Sequence, residues 1–228
     1  MVVGLQKREE HKRPKKERIM QTLKCKICRG VKTKLFLKAE KCLSPKCPMV
    51  VKPYAPGFQG KKRRKRSSEY GAQLIEKQKL KYWYGLSEKS LKQYVKEALS
   101  KRGRAGNTQT VLVQNLEKRL DNVIYRLGFV ASRRTARQLV SHNHFLVNGK
   151  RVNIPSFRVE KGDKIALEES SRVKKIFQNL DINFKKSQRP VWLKLDAKKL
   201  EAVIMGEPST EEVALPVEIS HIFEFYSR

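Results

Sequence analysis

Within residues 116–167 the apolar positions switch from a helical to a strand period, and that switch restricts the chain to a mixed helix-and-sheet fold. Leu116, Leu120, Val123 and Leu127 recur every three or four residues, as one face of an α-helix requires, and Gly128 stands where a C-terminal cap belongs. A second helical pattern starts at Ser132 and ends near His142. Beyond it FLV, the Asn148-Gly149 pair, KRVN and, after Lys161-Gly162-Asp163, KIAL read as strands, with Asn-Gly predicting a tight hairpin turn. VWLKL and EAVIM predict further strands. The expected class is α+β.

The flanking regions are helical. From Ser68 a helix runs through Leu74, Leu80 and the Tyr82-Trp83-Tyr84 cluster to Gly85. Ser87 suits the N-cap of the next, with Glu88 in the positive first turn and Leu91, Tyr94, Val95, Ala98 and Leu99 on one face. The polar loop 103–109 follows. Near the C-terminus Ile219, Ile222, Phe223 and Tyr226 again fall at i, i+3, i+4 and i+7.

Charge then selects the partner. Against 22 Asp and Glu stand 52 Lys and Arg, a formal net charge of +30, which repels itself in a compact state. A polyanion relieves that repulsion, and release of condensed counterions from phosphates rewards each paired cation. No apolar run approaches the roughly 20 residues that span a bilayer, so no membrane partner is expected. The first 22 residues form an expected flexible basic extension without the apolar middle of a signal peptide, which points to the cytosol.

The cations are organised. Arg119, Asn122 and Arg126 share one side of the 116–127 helix, and Arg133, Arg134 and Arg137 crowd the next, whose Ala136, Leu139 and Val140 point elsewhere. The hairpin returns Lys150 and Arg151 beside them. Planar guanidinium groups on rigid elements can grip phosphates bidentately and stack on bases. On an average chain the same pattern would read as a solvated face. A net charge of +30 moves the reading to nucleic acid. Ser132, His142 and, on the helix after Ser68, Lys77, Lys79 and Lys81 complete the candidate RNA contacts. Lys61, Lys62, Arg63, Arg64, Lys65 and Arg66 form a run that cannot pack against itself and suits phosphates.

RLDNVIYRLGFVASRRTARQLVSH, HFLVNGKRVNIPSF and VEKGDKI together resemble the S-four RNA-binding module, about residues 117–168. YAPGFQG, SEYGAQLIEKQK, YGLSEKSLKQY, PVWLKLD and EFYSR extend the likeness to the bacterial-type ribosomal S-four family over roughly residues 22–228. The resemblance implies a noncatalytic constituent of the small ribosomal subunit that binds its rRNA directly and early in assembly. It also implies that 61–66 lies near the path by which mRNA enters, and that a comparatively acidic C-terminal surface with Glu207, Glu211 and Glu212 meets the neighbouring protein S-five and bears on decoding accuracy. No homo-oligomer is expected. Two departures are visible: an N-terminal extension, and Phe58-Gln59-Gly60 where the family commonly has a His.

Cys25-x2-Cys28 and Cys42-x4-Cys47 are separated by thirteen residues. Two close pairs in one short span suit four thiolates on Zn(II), or an iron-sulfur cluster. The spacing is similar to the cysteine-bearing branch of the ribosomal family. Lys24, Lys26, Arg29, Lys41 and Lys46 crowd the ligands and are expected to favour thiolates.

The expected organisation is therefore the extension 1–22, a metal-stapled helical unit 23–110 completed by 197–228, and a second unit 111–196 with an antiparallel sheet and the embedded module. The rivals are a pseudouridine-synthase-like enzyme carrying the same module, suggested by Arg119-Leu120-Asp121, and a zinc-bearing DNA-binding regulator. The first needs a catalytic pocket. His142 and His144 lack the nucleophile or carboxylate cluster that acid-base work demands.

Overall fold

The computed structural model describes residues 24–58, 60, 68–100, 107–178, 180, 183–184, 189–210 and 212–227. Helix α1 (24–31), the one-turn helices α2 (Glu40–Leu43) and α3 (Pro48–Val51), and their connections form the cysteine segment. Then come α4 (Glu69–Tyr84), α5 (Glu88–Ser100), α6 (Thr108–Glu117), α7 (Leu120–Leu127) and α8 (Arg133–Ser141). Strands β1 (Phe145–Val147), β2 (Lys150–Arg151) and β3 (Lys164–Leu167) precede α9 (Glu169–Arg172) and a 3-10 turn, Lys175–Phe177. Strands β4 (Leu193–Asp196) and β5 (Glu201–Ile204) follow, and α10 (Ile219–Ser227) closes the chain.

The helices stop and start where their capping residues stand. Ser68 Oγ accepts from the Gly71 amide at 3.2 Å, and Ser87 Oγ from Ser90 at 3.1 Å. Gly85 and Gly128 close α4 and α7 with φ of 65° and 87°, a region in which a side chain is strained. Ser132, buried, caps α8 by accepting from the Thr135 amide at 3.2 Å. In the hairpin Asn148 and Gly149 have φ of 49° and 78°, opposite Val147 paired with Lys150. Asn148 also locks the hairpin to β3, its Oδ1 accepting from the Lys164 amide at 2.9 Å.

The strands form one antiparallel sheet in the order β2-β1-β3-β5-β4. Its inner face meets α7 and α8 in a core that includes Leu120, Ile124, Phe129, Phe145, Ile165 and Ile204. A second core joins α4, α5 and α6 to α10 through Leu80, Leu91, Val95, Leu112, Leu116 and Ile222. A small third cluster, Cys28, Val31 and Leu35, lies in the cysteine segment.

This packing shifts the expected unit boundaries. Val111, Leu112 and Leu116 of α6 sit in the helical core, so the sheet unit begins past Glu117. Ala202 and Ile204 of β5 alternate into the sheet core, and the return to the helices begins near Leu215 and Val217. The cause is register: β5 pairs with both β3 and β4. Among the described residues no helix is long and apolar enough to cross a membrane.

Candidate nucleic-acid interface

The joint between the two larger cores is polar. Glu117, fully buried at the end of α6, accepts from Tyr84 Oη at 2.6 Å, Asn122 Nδ2 at 2.7 Å, and Arg126 Nε and Nη2 at 3.0 Å each. Burial acts to raise this carboxyl, but the Arg126 guanidinium beside it, Arg133 and the Tyr84 hydroxyl together hold it below the usual range. Arg133 donates to Asn122 Oδ1 at 2.8 Å, with its guanidinium 4.4 Å from the Tyr125 ring centroid and 4.7 Å from that of Trp83. One residue of α8 thus pins α7 to the end of α4.

Several expected RNA contacts turn inward instead. Arg119 is 2% exposed, forks onto Asp121 at 3.1 and 2.7 Å, and reaches Tyr94 Oη at 2.8 Å. Asn122 is buried, and Arg126 is committed to Glu117. The physical reason is that a buried carboxylate needs a cation, and the helix stripe brings these arginines to it. The outward guanidinium face expected of α7 is therefore corrected.

The lysines of α4 are likewise paired. Lys77, buried, meets Glu88 at 2.6 Å and lies 4.2 Å from the Phe225 ring centroid, so it clamps α10. Lys81 also reaches Glu88, at 3.1 Å, and Lys79 pairs with Glu76. Burial acts to raise Glu88, but bonds from Lys77, Tyr226 and Lys81 bring it down to about 2.

What faces outward is the other side of α8. Arg134 and Arg137 are exposed, Arg137 donating to the Gly85 carbonyl at 3.1 Å. His142 and Lys150 are exposed as expected, while Arg151 is exposed but paired with Glu168. Between α8, the end of α4 and the cysteine segment lies a cleft of about 310 Å³ whose walls include Phe36, Tyr82, Trp83, Tyr125 and Arg133, with Lys24, Arg134 and Arg137 also lining it. An adjoining cleft of about 250 Å³ shares Lys24, Leu37, Ser132 and Arg134 and adds Lys38, Lys41 and Gln138. Neither is lined by Asp or Glu among the described residues. Burial, with Arg134 and Lys38 nearby, lowers the Lys24 ammonium from its ordinary value. Sequence reasoning missed Phe36, Lys38 and Tyr125 and read Trp83 only as helix. The available signal was the Tyr82-Trp83-Tyr84 cluster, too aromatic for one buried stripe.

The cysteines gather at one end of this interface. Cys28, Cys42 and Cys47 are buried, Cys25 is partly so, and none of the four is in a disulfide. The Lys38 amide donates to Cys42 Sγ at 3.3 Å. Burial pushes the Cys28 and Cys42 thiols up, and the other cysteines push further. The expected help from cations is confined: Lys34 lowers Cys42, but Arg29 turns away to the Tyr54 carbonyl at 2.7 Å. Four thiols with an amide donor already on one sulfur are the donor chemistry of a four-thiolate metal site. Among the described residues no group of three or more His, Cys, Asp or Glu is arranged to hold a metal ion.

Of the acidic residues, Glu207 accepts from Lys118 Nζ at 2.6 Å and Gln114 Nε2 at 3.3 Å, tying the strand region to α6. Glu212 is exposed. Glu211, the cationic run 61–66 and the extension 1–22 lie outside the described residues.

Comparison with known proteins agrees with the division of cores. Residues 20–117 match the ribosomal protein S4/S9 N-terminal domain family, and residues 118–165 match the S4 domain family. A small ribosomal subunit protein uS4 of Thermus thermophilus is 48% identical over 205 residues, covering 90% of this chain and 96% of its own. Protein uS4A of Symbiobacterium thermophilum is 46% identical over 204 residues and uS4 of Thermotoga petrophila 45% over 206, with the same coverage. On both the family matches and the near full-length identity, this chain belongs to the uS4 family of small-subunit ribosomal proteins.

Proposed function

We propose that the chain is a structural, non-enzymatic constituent of the small ribosomal subunit, bound to the ribosome in the cytoplasm, and that it clamps small-subunit rRNA early in assembly. The observation that supports this best is the pair of adjoining clefts lined by Lys24, Lys38, Lys41, Arg134 and Arg137 without an acid. Arg137 lies 4.0 Å from the Asp121 carboxylate, but the clefts themselves present no acid to their cations, which a polyanion satisfies, and the helix-borne Arg134 and Arg137 suit a folded RNA. The two units act as one platform: the helical unit and the sheet unit are pinned at Glu117 and Arg133, so their cations keep a fixed spacing.

Finer parts of this reading rest on the family. Cys25, Cys28, Cys42 and Cys47 would hold Zn(II), or alternatively an iron-sulfur cluster, and a bound metal supplies a cross-link where the apolar core is small. Lys61 to Arg66 contact rRNA phosphates, some lining the path by which mRNA enters. Glu207, Glu211 and Glu212 face protein S-five and bear on decoding accuracy, with Lys118 holding Glu207 in place. Sedimentation of tagged protein at low and high salt tests the central reading. Stable co-migration with small subunits is expected, and equal affinity for the chain's own rRNA and random duplex would refute it.

A further inference from the structure

Two features of the larger cleft point beyond phosphate binding. Its lining includes Phe36 and Trp83, edge to face at 6.4 Å, together with Tyr125. Its size, about 310 Å³, lies at the lower end of the roughly 300–1,000 Å³ of small-molecule sites and is far too small for a helical segment. Phosphate alone makes no use of the rings.

We propose that this cleft receives one unstacked nucleotide of the bound RNA, with its base among Phe36, Trp83 and Tyr125 and its phosphate in the adjoining cleft on Lys24, Lys38 and Arg134. The proposal rests on the rRNA-binding reading above. Lys24 and Arg134 line both clefts, so a single nucleotide can bridge them. Arg133 is a positioning residue: bonded to Asn122 and stacked on Tyr125 and Trp83, it fixes the spacing of the rings. Stacking on these rings needs no particular base. Charge opposes the chain's own preceding segment as occupant, because residues 1–23 hold seven Lys and Arg against three Glu.

Ultraviolet cross-linking of the full chain to its small-subunit rRNA, followed by peptide mass spectrometry, tests this directly. A nucleotide adduct on Phe36, Trp83 or Tyr125 is expected. Adducts confined to residues outside the cleft, with the complex formed, overturn the nucleotide subsite and leave the rRNA reading intact, whereas failure to form any complex overturns both. In a parallel titration Phe36→Ala is expected to weaken rRNA binding about 5- to 100-fold with the salt slope unchanged, since stacking and not phosphate pairing is lost, and Phe36→Tyr restores it. Equal affinity of Phe36→Ala and the unaltered chain overturns the proposal.

Discussion

The sheet unit and the cysteine segment lie against each other across the cleft, yet they are held by different forces. Around the sheet, Phe129 sits edge to face with Phe145 at 5.4 Å and with Phe184 at 5.3 Å, inside a continuous apolar core. The apolar cluster of the cysteine segment is no more than Cys28, Val31 and Leu35, edged by residues such as Ile27, Leu37 and Met49. The segment also holds Lys32, Phe36 and Ala39 at φ of 55°, 50° and 52°, left-handed conformations that cost an ordinary residue roughly 1 kcal/mol or more each. A region with little core and strained backbone needs a cross-link or a partner to stay folded. The sheet unit needs neither.

The largest expected effect lies in the sheet unit. Phe129→Ala should lower global stability by about 3–5 kcal/mol, measured as a shift of the urea midpoint with unchanged slope. A loss under about 1 kcal/mol would mean the core is not what holds this unit. Next comes the joint. Glu117→Gln removes a charge buried among Arg126, Asn122 and Tyr84 and should cost about 3 kcal/mol. The pH dependence has a definite sign. Because Glu117 is held below its ordinary value of 4.5 when folded, its stabilisation is fully present above 4.5 and lost as pH falls through the lower folded value. Acid unfolding of Glu117→Gln should therefore lose that part of its pH slope, and an unaltered slope would assign the acid limb elsewhere.

Much of this contrast was readable from residue spacing. The helix start at Ser68, the caps at Ser87, Gly85 and Gly128, and the Asn148-Gly149 hairpin follow from local rules and stand as expected, whereas the single helix expected over 116–127 is broken between Glu117 and Leu120, which sends Leu116 to one core and Leu120 to the other. The site was legible as a cationic region but not residue by residue. Arg119 and Arg134 both look like exposed helix arginines, and what separates them is Asp121 and Tyr94, packed around the former. The Tyr94 contact comes from a helix 25 residues away, which no periodicity can show. The cleft itself escaped for the same reason: Phe36, Trp83 and Tyr125 are far apart in the chain and meet only through tertiary packing.

In the cysteine segment a more local effect is expected. On the proposed four-thiolate site, Cys28→Ser or treatment with a strong chelator should lower the opening free energy of residues 24–55 by more than about 1 kcal/mol, read by amide hydrogen exchange. Amides of β1, β3 and β5 should keep their protection, since the sheet core does not include the cysteines. Metal analysis of the native protein belongs with this test. Protein free of metal whose 24–55 amides are as protected as those of the sheet would remove the contrast between the two regions.

The smallest effect on folding, and the sharpest on binding, belongs to the exposed side of α8. Arg134→Gln and Arg137→Gln should each leave stability within about 0.5 kcal/mol, because neither guanidinium is buried. Each lost phosphate contact should reduce the slope of log affinity against log salt by about 0.7–0.9, so the pair together lose up to about 1.8. Arg119→Gln should behave in the opposite way. It uncouples the buried Asp121 and frees Tyr94 Oη, which destabilises the fold, while the salt slope stays where it was because Arg119 faces no phosphate. Three arginines spread over 19 positions thus separate into a structural one and two binding ones, and only a measurement of slope together with stability distinguishes them.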